Sequence, residues 1–181
     1  NVVVFAAPPE ATGGPEQDHI KRLIGLPGDT VQAKRARRFL DGAEVDAAAL
    51  GYPGLHFYLK TKLKLDWKLN SVKLFPDHVL IDGKRSLSPA ELATVLGGPG
   101  AKVELIPGQT LINGKPLNEP YTREDPDYDI VARCDPDEFY MLGDNRNLSA
   151  DSHEWGALKR QRVIGHAVSV FWPPSRMGAI R

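Results

Sequence analysis

Met141 to Gly156 reads MLGDNRNLSADSHEWG, and the rest of the chain is organised around this stretch. It holds three acidic side chains (Asp144, Asp151 and Glu154) together with Arg146, Ser149, Ser152 and His153, and Asp137 lies just upstream. Gly143, Asp144, Asn145 and Asn147 are turn formers, so the pattern predicts a shaped loop after an apolar strand, Phe139-Tyr140-Met141-Leu142. Asp144, Arg146 and Asp151 can pair by charge-assisted hydrogen bonds, with arginine as the planar bidentate partner. Composition alone leaves two readings open, a salt-bridged surface loop and a functional site.

A second stretch separates them. Asp18 to Val31 reads DHIKRLIGLPGDTV, a lysine inside an apolar strand followed by a rigid Leu-Pro-Gly-Asp turn. Together the two stretches resemble the boxes of type I signal peptidases, serine-lysine proteases that remove secretory signal peptides. Those boxes have the forms KRxxGLPGDxV and GDNRxxSxDSRxWG. Lys21-Arg22 and Gly25-Leu26-Pro27-Gly28-Asp29 match the first. Gly143-Asp144-Asn145-Arg146, Ser149, Asp151-Ser152 and Trp155-Gly156 match the second. Two long boxes in the right order are far more specific than one short motif. Asn1 to Phe5 looks like the strand that the family places before its lysine box, and NGKPLNEPY (Asn113 to Tyr121) is similar to a segment between the boxes.

The resemblance implies a mainly β fold of the signal-peptidase and LexA-like kind. Its core is residues 1–31 and 108–181, and residues 32–107 form an inserted region with strands and two short helices. It also implies roles at the site. Lys21 is the expected general base, which requires it to be deprotonated near neutral pH; fully buried lysines reach pKa values of roughly 5–6. Ile20, Leu23 and Ile24 give it an apolar setting, and strand alternation puts Lys21 and Leu23 on one face. Ser149 is expected to hydrogen-bond the lysine nitrogen and orient it, while Asp144, Arg146, Asp151 and His153 brace the loop. His153 departs from the family pattern, which has arginine there, so its pair with Asp151 weakens when the imidazole is neutral. Asp18, His19 and Ile20 are expected to receive an extended substrate by strand addition.

The family nucleophile sits in a Ser-x-Ser-Met-x-Pro box upstream of the first strand, and nothing in this chain matches it. The expectation is a fragment that begins after the nucleophile and the membrane anchor and does not cleave alone. The implied partners are preprotein signal peptides with small residues at P1 and P3. The implied place is the extracytoplasmic face of the bacterial cytoplasmic membrane. A conjugation-linked serine-lysine peptidase shares this chemistry, and a catalytically dead peptide-binding module is the reading from a different class. A self-cleaving repressor fits less well, because it lacks the GDNR loop.

Composition agrees with these bounds. The chain has 181 residues and balanced charge, 23 basic against 23 acidic, so there is no overall field for nucleic acid. One cysteine, Cys134, permits no internal disulfide. No run of 18 apolar residues occurs. The five histidines (19, 56, 78, 153 and 166) and Cys134 show no metal-ligand spacing, and the resemblance implies no cofactor.

Along the chain, Val2–Ala6 and Ile20–Ile24 read as strands, and Pro8 to Glu16 as a loop. Lys34 to Arg38 is a basic cluster, open to a solvated face or to anionic headgroups. Asp41 with Glu44 reads as a capped helix start, the helix ending at Gly51. Phe57 to Leu69 alternates apolar residues with Lys60, Lys62, Lys64, Asp66 and Lys68, which predicts a strand whose lysines guard an edge or meet a membrane. Ser88-Pro89-Ala90-Glu91 starts a helix that Gly97 stops. Asp82-Gly83 and Asn113-Gly114 mark hairpins, and Val163 to Trp172 reads as the last strand.

Overall fold

The computed structural model describes residues 1–45, 60–61, 64 and 71–180. Strands are numbered here in chain order. The first sheet has five strands in the order β14-β13-β2-β1-β15: Leu158–Lys159, Glu138–Leu142, Asp18–Gly25, Val2–Ala6 and Val163–His166. The second joins β11 (Lys115–Pro116), β10 (Gln109–Ile112), β3 (Thr30–Lys34) and β12 (Ile130–Arg133). A third sheet holds β4 (Arg37–Leu40), β5 (Ala43–Glu44) and β9 (Val103–Ile106), and a fourth the meander β6 (Val72–Phe75), β7 (His78–Ile81) and β8 (Arg85–Leu87). Ser169–Val170 (β16) and Gly178–Ala179 (β17) pair near the C-terminus. The fold is mainly β. No helix of the described residues is long and apolar enough to cross a membrane.

Period-two alternation sets which face of the first sheet is which. Val3, Phe5 and Met141 bury on one face with Ala7 and Leu158. Ile24, Tyr140 and Leu142 bury on the other, with Val31 and Cys134 of the second sheet's side. Gly25 allows the two sheets to meet closely, since a Cβ there would lie 2.5 Å from Val31 Cγ2 and 2.9 Å from Tyr140 Cβ. A third core gathers Val72, Leu74, Val79, Ile81, Leu87, Leu92 and Leu105 beneath the β6–β8 meander.

Several local expectations hold for legible reasons. The helix Pro89–Leu96 has Ser88 as N-cap and a complete capping box with Glu91. The Asp82-Gly83 and Asn113-Gly114 turns have positive φ at both residues; Asn113-Gly114 closes a two-residue hairpin between Ile112 and Lys115, and Asp82-Gly83 opens a three-residue one between Ile81 and Arg85.

Others fail. Asp41 to Glu44 is not a helix start: Asp41 (φ 51°) and Gly42 (φ 82°) turn β4 into β5. An aspartate three residues before a glutamate fits a capping box, but Asp-Gly fits a hairpin turn as well, and the β4–β9 pairing decides for the hairpin. Residues 46–51, the rest of that expected helix, lie outside the described residues. In the alternating stretch, Lys60 and Thr61 are helical and Lys64 is in a turn, so no strand runs through them; Phe57, Leu59, Lys62, Leu63 and residues 65–69 lie outside the described residues. Pro9–Thr12 forms one helical turn inside the expected loop, with Pro9 in the first turn where its missing N–H costs nothing. The last expected strand is two, Val163–His166 and Ser169–Val170, and Phe171 and Trp172 are exposed beyond them.

Candidate active site

β2 carries Lys21 through the middle of the first sheet, opposite Val3 of β1, so Lys21 lies on the face of Val3, Phe5 and Leu23. After β13 the chain turns at Gly143 and runs back past the end of β2. There Lys21 Nζ donates to Ser149 Oγ at 2.7 Å. Lys21 is half-buried, and Ser149 is buried at 7% exposure. The two close one end of a cleft of about 350 Å³ lined also by Val2, Ile20, Leu148 and Asn145. No other serine among the described residues lines it.

Ser149 is held by its neighbours rather than by a side-chain chain of charges. Gly143 lets it in: a Cβ at Gly143 would fall 2.1 Å from Ser149 Oγ and 2.6 Å from Ser149 Cβ. The Gly143 amide donates to Asp151 Oδ2 at 2.7 Å, and the fully buried Asp151 also accepts from the amide and from the Nδ1 of His153, the latter at 2.7 Å. The His153 ring stacks on Tyr128 at 4.3 Å between centroids. The histidine therefore reaches Asp151, and its ring is fixed from two sides. Ser152 serves the backbone, its Oγ accepting from Met141 N where the β13–β2 register shifts.

The expected pairing among Asp144, Arg146 and Asp151 does not occur. Asp144 is taken by Arg22 and Arg146 by Glu119, both from outside the loop, while Asp151 stays with Gly143 and His153 inside it. Arg22, the residue after the lysine, donates from Nε and Nη2 to both Asp144 oxygens at 2.8 and 2.9 Å, and its guanidinium lies 3.7 Å over the Tyr121 ring. Its pKa is raised, chiefly by that hydrogen-bonded pair. Arg146 is fully buried and forks onto Glu119, with Nη1 to Oε2 at 2.7 Å and Nη2 to Oε1, while Nη1 also meets Thr110 Oγ1 and Nε donates to the Gly143 carbonyl at 3.1 Å. Burial alone would disfavour the Arg146 cation, and the Glu119 carboxylate outweighs it. Tyr121 donates to Glu119 Oε1 at 2.9 Å and ties the two arginine pairs together.

Glu119 and Arg22 were missed as partners. Arg22 could have been read from the alternation that puts it on the face opposite Lys21. Glu119 sits in the NEPY segment, but nothing local announces that it faces an arginine 27 residues on.

The receiving edge follows from the pairing. Leu23 N donates to Asn1 O and Ala7 N to Gln17 O, so the backbone groups of odd-numbered residues of β2 face β1. Those of Asp18, Ile20 and Arg22 face the other way. β13 reaches β2 only from Gly25 to Arg22, so Asp18 and Ile20 present an open edge beside Lys21. Among the three expected edge residues His19 differs: its backbone faces β1, and its half-buried ring meets Phe5 edge-on at 6.1 Å. Its pKa is lowered, first by burial and then by the Lys21 charge.

The family model for "Signal peptidase, peptidase S26" matches residues 1–81 and 77–172. Signal peptidase I of Leptolyngbya laminosa is 45% identical over 106 residues, 58% of this chain and 52% of that protein. Probable signal peptidase I-1 of Synechocystis sp. is 43% identical over 95 residues, 52% of this chain and 48% of that protein. The probable thylakoidal processing peptidase 2 of Arabidopsis thaliana is 33% identical over 103 residues, 56% of this chain and 28% of that protein. A solved signal peptidase I from Enterococcus faecalis V583 aligns over 91% of this chain and 90% of its own at 22% identity, with a TM-score of 0.32. The chain spans about half the length of the first two relatives.

Proposed function

Because the chain belongs to the signal peptidase family, peptidase S26, we propose that it is the catalytic region of a type I signal peptidase, which cleaves signal peptides from preproteins with a serine-lysine dyad. The observation that carries this reading is the 2.7 Å contact from Lys21 Nζ to Ser149 Oγ beside the open edge at Asp18 and Ile20. An extended peptide laid on that edge gains main-chain hydrogen bonds from Asp18 and Ile20 and carries its carbonyl carbon past Lys21.

In this mechanism Lys21 takes the proton of the attacking hydroxyl and later returns it to the leaving amine. Ser149 holds the lysine nitrogen in place, with its hydroxyl packed against Gly143, and the resemblance assigns it no attack. By resemblance to the family, the nucleophile is the serine of a Ser-x-Ser-Met-x-Pro box, which does not occur in these 181 residues. Small residues at P1 and P3 are the implied preference, for a cleft lined by Val2, Ile20 and Leu148. Residues 1–31 and 108–181 supply every member of the site, which supports treating 32–107 as an insertion. The extracytoplasmic face of the bacterial cytoplasmic membrane is the place where such substrates emerge.

The test uses a preprotein with an Ala-x-Ala cleavage site. A chain extended ahead of Asn1 by a segment carrying a Ser-x-Ser-Met-x-Pro box should cleave it, and the 181-residue chain alone should not. Turnover by the 181-residue chain would overturn the placement of the nucleophile. No turnover by the extended chain would overturn the peptidase reading and favour a module that only holds peptides.

A further inference from the structure

β6 is joined to the site by one intervening ribbon, residues 119–125. Val72 N donates to Arg123 O at 2.8 Å, and Arg123 N donates in turn to Asp144 O at 2.8 Å. Leu74 N donates to Asp125 Oδ2 at 3.2 Å. Between these two backbone anchors Lys73 points inward. Its Nζ donates to the Thr122 hydroxyl and, at 3.4 Å, to the Glu119 carbonyl. Its pKa is lowered, foremost by burial, and Asp125 and Glu119 oppose that shift. Thr122 is itself buried at 6% exposure.

The residue that Lys73 holds is the one that forks onto Arg146. Glu119 takes both Arg146 amino groups, Arg146 Nε fixes the Gly143 carbonyl, and Gly143 is the seat of the Ser149 hydroxyl that Lys21 meets. A second route leaves the same ribbon through Arg123 to Asp144 and so to Arg22, the chain neighbour of Lys21. Both routes end within one residue of the Lys21–Ser149 contact. Both begin on a strand that contributes nothing to the cleft itself.

We propose that Lys73 is a positioning residue for the site: through Thr122 and Glu119 it sets the Arg146–Gly143 seat of Ser149, which makes the β6 hairpin a working part of the peptidase. The consequence for catalysis rests on the Lys21–Ser149 reading above; the positioning itself does not. A charge-assisted hydrogen bond lost at a buried site typically weakens what it holds by a factor of about ten or more.

The experiment is hydrogen exchange on the 181-residue chain, which needs no turnover. Lys73→Met should speed exchange of the Gly143 and Arg123 amides, hydrogen-bonded to Asp151 and to the Asp144 carbonyl, roughly tenfold or more, while Val79 and Ile81 of β7 in the hairpin keep their protection. Lys73→Arg, which retains a cation and donors, should restore most of the protection. If Lys73→Met does not fold, Thr122→Val removes the lysine's acceptor at nearly constant volume and should produce the same loop-specific acceleration. Unchanged exchange at Gly143 and Arg123 in a folded Lys73→Met or Thr122→Val protein overturns the proposal. So does acceleration spread evenly over the hairpin and the loop, or a failure of Lys73→Arg to restore protection. If exchange responds as expected but the extended chain shows no cleavage, the positioning stands and the peptidase reading is the one that falls.

Discussion

Gly143→Ala is the smallest change that strikes the site without touching a charge. The added methyl would sit 2.1 Å from Ser149 Oγ, 2.6 Å from Ser149 Cβ and 3.3 Å from Asp151 Oδ2. To reach even a tight contact near 3.0 Å, the Ser149 hydroxyl must retreat by roughly 1 Å. That displacement takes the 2.7 Å bond from Lys21 Nζ beyond ordinary hydrogen-bond length. Gly143 does not have a left-handed backbone, so the penalty is one of overpacking, about 1–3 kcal/mol. A misplacement of about 1 Å in a catalytic group lowers turnover roughly a hundredfold. Two assays check this: urea unfolding of the 181-residue chain for the stability loss, and preprotein cleavage by the extended chain for the rate. The double variant Gly143→Ala/Ser149→Gly removes both clashing atoms, and it should recover stability without recovering activity. A single variant with unchanged unfolding midpoint and unchanged cleavage would refute the claim that Ser149 is seated against Gly143 and orients Lys21.

Two further predictions concern the charges around the loop. Arg22→Lys keeps a cation but loses the two-point contact with Asp144 and the stack on Tyr121, so the chain should lose about 1–2 kcal/mol in denaturant unfolding; a loss below about 0.3 kcal/mol would contradict a structural role for the pair. Glu124 is buried at 5% exposure and its pKa is raised to about 7, first by burial and then by the charge of Asp127. The native state therefore holds a proton that the unfolded chain releases near 4.5, and stability falls as pH rises through that window to about 7. Glu124→Gln should flatten the fall and stabilise the chain at pH 8 by on the order of 3 kcal/mol. An unchanged pH dependence of unfolding would contradict it.

The two boxes made the Lys21–Ser149 contact legible because each is a local signal: a lysine within an apolar strand, and a loop whose glycine and asparagines announce its turns. What they could not carry was partnership across the chain. Asp144 and Arg146 stand two apart and suggest a pair, yet Arg22 and Glu119 take them, because the sheet brings β2 and the 119–125 ribbon to either side of the loop. Sequence spacing fixes periodicity and turns; it does not say which of several carboxylates a buried guanidinium meets. The failed helix at Asp41 has the same origin. Asp41 and Glu44 satisfy a capping rule locally, and the pairing of Leu40 with Val103, more than sixty residues away, selects the hairpin instead. The capped helix at Ser88 succeeded because its signals do not conflict: cap, proline and glutamate all agree, and Gly97 ends it.

The central claim is that Lys21 is the general base. Its most direct test is preprotein cleavage by the extended chain carrying Lys21→Met, a substitution close in volume, with the fold verified by unfolding. The expected result is a loss of turnover of roughly a thousandfold or more, within the range that removal of a general base produces. Turnover within a few-fold of the unaltered enzyme would contradict it.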